Sequence, residues 1–119
     1  MKVAVTSTGN NLDSMLDERF GRCRYFIFID PKTKEFEAVE NEYANSTHGT
    51  GVQVAQFIVD KGVSALITGN VGPNAMSVLK ESGIEVYSVS SISVKEALEN
   101  YIQGKLTKVF GPTTKPNHI

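Results

Sequence analysis

Two junctions of one kind, Asp60-Lys61-Gly62-Val63 and Glu81-Ser82-Gly83-Ile84, constrain this chain more than anything else in it. Each sets a glycine just past a helical stretch and an apolar run just after the glycine, which is how a helix closes and a strand opens. The first helix runs from about Val52 to Lys61. Gln53, Gln56 and Asp60 share one face, and Val52, Ala55, Ile58 and Val59 share the other. The second opens at Pro73, which suits the first helical position. The strands around these helices are Ser64 to Thr68 and Ile84 to Val89. A helical crossover returns the chain to the same end of a sheet, so those strands are parallel, and the fold class is α/β.

The rest of the chain completes a mixed sheet. Met1 to Ser7 alternates weakly as a first strand, and Tyr25-Phe26-Ile27-Phe28-Ile29 is apolar throughout, as a strand covered on both faces is. Asp30-Pro31-Lys32-Thr33 is a turn, and Glu35 to Glu40 alternates as a more exposed hairpin partner. Thr8 to Arg22 reads as a long polar loop with one helical turn around Leu12 to Leu16. Ser93-Val94-Lys95-Glu96 is a capping box for a last helix that stops at Gly104. The expected architecture is five strands in order 3-2-1-4-5, with strand 2 antiparallel and helices on the flanks. Residues 1–110 form one domain, and 111–119 are expected to be a flexible tail.

That order gathers the unusual segments at one rim. The end of strand 1 (Thr8, Gly9, Asn10), the start of strand 2 (Arg22, Cys23, Arg24) and the segment His48 to Gly51 meet there. So do the loop Gly69 to Asn74 and the pair Ser90-Ser91, while the opposite rim holds plain turns. Between strands 1 and 4 the chain switches direction, and the crevice above such a point is the favoured ligand position in an open sheet.

All three arginines, Arg19, Arg22 and Arg24, fall in a six-residue window with the only cysteine, Cys23. The formal net charge is only -1, so the cationic cluster is local, and nothing pulls the chain as a whole toward nucleic acid or an anionic membrane. Guanidiniums beside a thiol favour its thiolate, a ligand for soft metals. The same residues have a plain reading: Cys23 as a small core residue, and the arginines paired with Asp13, Asp17 and Glu18. Two helix N-termini on the rim, after Gly51 and after Gly72, offer free amides to an anion. Gly49, Gly51, Gly69, Asn70, Gly72 and Asn74 are the candidate contacts, although Gly69 and Gly72 also suit a mere strand-to-helix turn. Neither a Walker A loop nor the dinucleotide fingerprint is present. His48 is a candidate metal ligand or a solvated loop residue. One thiol and one imidazole do not make a zinc site or a simple iron–sulfur site. They can hold a preassembled anionic metal–sulfur cluster at one or two points. A nuclease reading of Asp13, Asp17 and Glu18 lacks a further carboxylate, and Ser7, Thr8, Ser90 and Ser91 lack a base. One cysteine forms no internal disulfide. Met1-Lys2 runs straight into a strand, and no apolar run spans a bilayer, so the cytoplasm is the expected location.

Phe20-Gly21-Arg22-Cys23-Arg24-Tyr25-Phe26 resembles a motif of the dinitrogenase iron–molybdenum cofactor biosynthesis domain family. So do His48-Gly49-Thr50-Gly51-Val52-Gln53-Val54-Ala55 and Ile67-Thr68-Gly69-Asn70-Val71-Gly72-Pro73-Asn74-Ala75, then Leu79, Gly83-Ile84, Val94 to Leu98 and Gly104-Lys105-Leu106. The resemblance covers about Met1 to Leu106, as a small stand-alone member. It implies a ribonuclease H-like fold without nuclease activity. It also implies a non-enzymatic role in binding and carrying an iron–molybdenum cofactor or its iron–sulfur precursor, transiently, among cluster-assembly proteins. Cys23 and His48 then become candidate cluster ligands, with Arg22 and the Gly69 to Asn74 loop in support. Two other readings fit the residues alone: a binder of a phosphorylated small molecule with hydrolase activity, and an adaptor whose rim contacts another protein.

Overall fold

The computed structural model describes residues 1–45 and 50–111. Strands β1 (Val3–Ser7), β2 (Tyr25–Ile29) and β3 (Phe36–Glu40) come first, followed by helix α1 (Thr50–Asp60). Strand β4 (Ala65–Thr68), helix α2 (Pro73–Glu81), strand β5 (Glu85–Ser88), helix α3 (Val94–Ile102) and strand β6 (Lys108–Val109) complete the chain. The sheet order is β3-β2-β1-β4-β5-β6. The expected five-strand order therefore holds, and a sixth strand is added to it. Tail residues 112–119 lie outside the described residues.

β1 pairs antiparallel with β2 (Val3↔Ile29 to Ser7↔Tyr25) and parallel with β4 (Val3↔Ala65 to Val5↔Ile67). β4 and β5 are parallel, as the two crossover helices require. Gly62 and Gly83 have φ of 72° and 77°, the left-handed conformation that closes each helix and turns it into the next strand. Alternation along the strands divides the core. Ala4, Phe26, Phe28, Leu66 and Val86 pack against Val54, Ala55 and Ile58 of α1 and Ala75, Met76 and Leu79 of α2. Val3, Val5, Ile27, Ile29, Ala65 and Ile67 pack on the other face against Val94, Ala97 and Leu98 of α3. The result is a sheet between two helical layers.

Two departures from the sequence reading have simple causes. β6 is two residues long, Val109 against Val86 and Lys108 against Tyr87, too short for any alternating pattern to announce it. The loop after β1 also makes no helical turn at Leu12 to Leu16. Leu16 forms a bridge to Ser7 and Met15 a bridge to Ser93, with Leu16 N–H donating to Ile92 O at 2.9 Å. Leu16 is buried under α3, and this anchoring outweighs local helix preference. Ser93 caps α3 as expected, its hydroxyl oxygen accepting from Glu96 N–H at 3.0 Å.

Candidate functional site

The arginine window lies on the loop between β1 and β2, and its backbone is fixed from two directions. Asp17 begins the first anchor. The residue is 3% exposed, and its carboxylate accepts from Arg19 N–H, Nε and Nη2, each at 3.0 Å. The backbone of Asp17 is tied to β1, its carbonyl accepting from Thr6 Oγ1 at 2.6 Å and its N–H donating to Thr6 O at 2.9 Å. The Asp17 carboxylate beside it raises the Arg19 guanidinium above its usual range, first by hydrogen bonding and then by charge.

Asn41, just past β3, is the second anchor. Its Nδ2 donates to Cys23 O at 2.8 Å and Gly21 O at 3.2 Å, and its Oδ1 accepts from Tyr43 N–H at 2.9 Å. Its own N–H donates to Arg24 O at 2.9 Å. One buried amide thus holds the carbonyls on both sides of Arg22 while it starts the turn that follows. Arg22 Nη1 donates to Ala44 O at 3.1 Å and closes the arrangement. Sequence reasoning passed over Asn41. The available signal was an asparagine placed directly after a strand, a residue type whose side chain bonds nearby backbone.

Arg19, Arg22 and Arg24 line a single cleft of about 360 Å³, together with Glu40, Asn41, Ala44 and Asn45. The other candidates adjoin it. Asn70 bridges Arg19, its N–H donating to Glu18 O at 2.7 Å. A Cβ built on Gly21 would lie 3.4 Å from the Gly51 backbone, and one on Gly51 would lie 3.5 Å from Ala75 Cβ. The arginine loop, the start of α1 and the start of α2 are therefore consecutive neighbours along one rim. Gly72 is the N-cap residue of α2, and Asn74 stands exposed in its first turn. Gly69 has an additional role beyond turning the chain: a Cβ there would lie 2.5 Å from Glu18 O. The candidate residues His48 and Gly49 lie outside the described residues.

Cys23 departs from the electrostatic expectation. It is fully buried, packed in the core beside Phe20, Phe26 and Val54. Burial pushes the thiol far above its ordinary range, and the Asp17 charge pushes the same way. Arg19 opposes them only weakly. The neighbouring guanidiniums extend into the cleft while the sulfur turns inward, so desolvation decides the protonation state. Among the described residues no three His, Cys, Asp or Glu side chains gather as metal ligands. We expect iodoacetamide to modify native Cys23 at least about 100-fold more slowly than the urea-unfolded chain at mildly alkaline pH. Mass spectrometry of timed aliquots reads this directly, and comparable rates would contradict the buried position.

The family model described as "Dinitrogenase iron-molybdenum cofactor" matches residues 1–104. An uncharacterized protein of Methanocaldococcus jannaschii is 37% identical over 111 residues, 91% of each chain. The apo form of the orange protein from Desulfovibrio gigas superposes with a TM-score of 0.91 at 34% identity, covering 95% of this chain and 96% of that one. An NMR structure from Thermotoga, described there as a NifB candidate, gives a TM-score of 0.82 at 40% identity, covering 98% and 97%. No described helix is long and apolar enough to cross a membrane. A match over 104 of the 119 residues, with relatives of similar length and the same fold, establishes that this chain belongs to the dinitrogenase iron-molybdenum cofactor family.

Proposed function

We propose that the protein binds and carries a metal–sulfur cluster, of the iron–sulfur or iron–molybdenum type, in the arginine-lined cleft, and that it acts by holding cargo rather than by turnover. The observation that carries this reading is the convergence of Arg19, Arg22 and Arg24 on one cleft of about 360 Å³. A sulfide-bridged cluster is a bulky anion. Guanidiniums suit it because they are planar, permanently charged and weakly hydrated. The first turn of α1 lies next to Gly21, and its backbone N–H groups point toward the same rim. The donor set fits a cluster held from outside by charge and hydrogen bonds, since three guanidiniums line the cleft. His48 is the candidate for a direct metal bond. Cys23 joins it only if the thiol is uncovered and ionised on loading.

The test is anaerobic incubation with ferrous iron and sulfide, followed by desalting and measurement of retained iron, sulfide and visible absorbance. The protein with Arg19, Arg22 and Arg24 all changed to alanine is expected to retain at least about tenfold less, because three charge-assisted contacts are lost together. His48→Ala is expected to lower retention, and Cys23→Ala is expected to leave it close to that of the unaltered protein. Equal and low uptake by all four proteins would end the proposal. A rise in melting temperature with sugar phosphates or nucleotides, absent with the cluster components, would favour the phosphorylated-ligand reading of the same cleft.

A further inference from the structure

We propose that the free edge of β3, with the apolar hollow at its end, receives an extended, lysine-rich segment of a partner protein as an added strand. β3 is the outermost strand on its side of the sheet among the described residues. Its pairing with β2 fixes which groups point outward. Asn41 N–H donates to Arg24 O and Asp30 N–H donates to Glu35 O, and the five strand pairs between them keep one register. Hydrogen-bonded pairs alternate, so Glu37 and Val39 face β2, and the N–H and C=O groups of Phe36, Ala38 and Glu40 face away from the sheet. Proteins usually blunt such an edge with proline, a bulge, shortening or charged side chains. β3 has only the last of these: it is five residues long, unbroken in register and free of proline, and its glutamates repel anionic strands while leaving the edge open to a cationic one. The opposite edge, β6, has only two residues and cannot host a strand of comparable length.

A hollow of about 80 Å³ lies beside the end of this edge, walled by Phe26, Val39, Tyr43 and Phe57 and lined also by the Glu40 to Glu42 segment. It has room for an aliphatic side chain. Glu35, Glu37, Glu40 and Glu42 are all exposed along the strand and its ends, so the complementary segment is cationic. The molecule already uses this chemistry with lysines of its own, at Lys108 against Phe110 and Glu85 and, nearer the hollow, at Lys61. Lys61 Nζ lies 5.1 Å from the Phe28 ring centre, 5.8 Å from that of Phe57 and 3.9 Å from Glu37 Oε1. A partner lysine at the hollow meets the same combination of aromatic face and carboxylate, its methylenes on Phe57 and Tyr43 and its ammonium at Glu42. Backbone pairing gives affinity, and the alternating side chains give selectivity, as in other strand-addition complexes. The proposal stands independently of the cargo reading.

The probe is a blocked peptide of alternating lysine and valine, with an alternating glutamate and valine peptide as its counterpart, titrated into isotope-labelled protein. The lysine peptide is expected to shift the amide resonances of Phe36, Ala38, Glu40 and Tyr43 saturably, and the glutamate peptide to bind at least about tenfold more weakly. Ala38→Pro removes only an outward N–H, so pairing with β2 persists while strand addition is blocked. Binding is expected to be lost in a protein whose unfolding midpoint is little changed. Tyr43→Ala, which leaves the edge intact, is expected to weaken binding several-fold and serves if Ala38→Pro fails to fold. Equal binding of the two peptides, full binding by folded Ala38→Pro, shifts confined to other surfaces, or self-association of the protein through β3 would each overturn the proposal.

Discussion

Gly69→Ala should destabilise the protein by about 3 kcal/mol, the upper end of what overpacking a filled site costs. The backbone at Gly69 does not have the positive φ that would by itself demand glycine. The requirement is spatial. The first methyl group would stand 2.5 Å from the carbonyl oxygen of Glu18, which is main chain and cannot rotate aside. Relief requires separating the Glu18 segment from the end of β4, which breaks the 2.7 Å bond from Asn70 N–H to Glu18 O. That bond ties the arginine loop to the start of α2, so the same substitution should also reduce cluster retention. Gly62→Ala is the control. It has a φ of 72° but nothing within 4 Å of the new methyl, and should lose only about 1 kcal/mol from backbone torsion. Urea unfolding of the three proteins reads both numbers. Equal losses at the two sites would mean that close approach at Gly69 is not the reason for glycine.

Asn41→Ala should cost about as much, near 3 kcal/mol, through a different mechanism. The substitution leaves Gly21 O and Cys23 O without their donor and Tyr43 N–H without its acceptor. An unsatisfied buried backbone group costs on the order of 1–3 kcal/mol, and water reaching this site recovers part of the sum. The consequence for the site is the sharper test. Asn41 Nδ2 also lies 3.8 Å from Cys23 Sγ, so its removal opens a route to the sulfur. Alkylation of Cys23 should accelerate by at least about tenfold under conditions where the protein remains folded. Unfolding measured by circular dichroism, together with alkylation followed by mass spectrometry, separates the two effects. A stable variant with an unreactive thiol would show that other groups hold the loop.

Most of the frame was readable because it follows from periodicity and punctuation. The glycines after α1 and α2, Pro73 at a helix start and the apolar run Tyr25 to Ile29 determine elements through local rules, and right-handed crossovers then fix their order. The rim position of the arginines was readable for a related reason: three cations crowded into six residues just before a buried strand have few directions to point except outward. What could not be read depends on relative depth. Cys23 lies between two exposed arginines in sequence, yet its side chain turns into the core, and burial outweighs charge. Asn41 drew no attention in the sequence, because its partners Gly21 and Cys23 are about twenty positions away and no local pattern connects them. β6 is defined only by its neighbour β5, and Gly69 only by the proximity of Glu18.

The balance of charges in the cleft bears on how cargo leaves it. Among the described residues, three guanidiniums less the Asp17 carboxylate clamped to Arg19 and the charge of the lining residue Glu40 leave one net positive charge. Such a surplus attracts an approaching anion without trapping it. Added electrolyte competes for so shallow an attraction, so an ordinary rise in salt concentration should lower the amount of cluster a loaded protein retains.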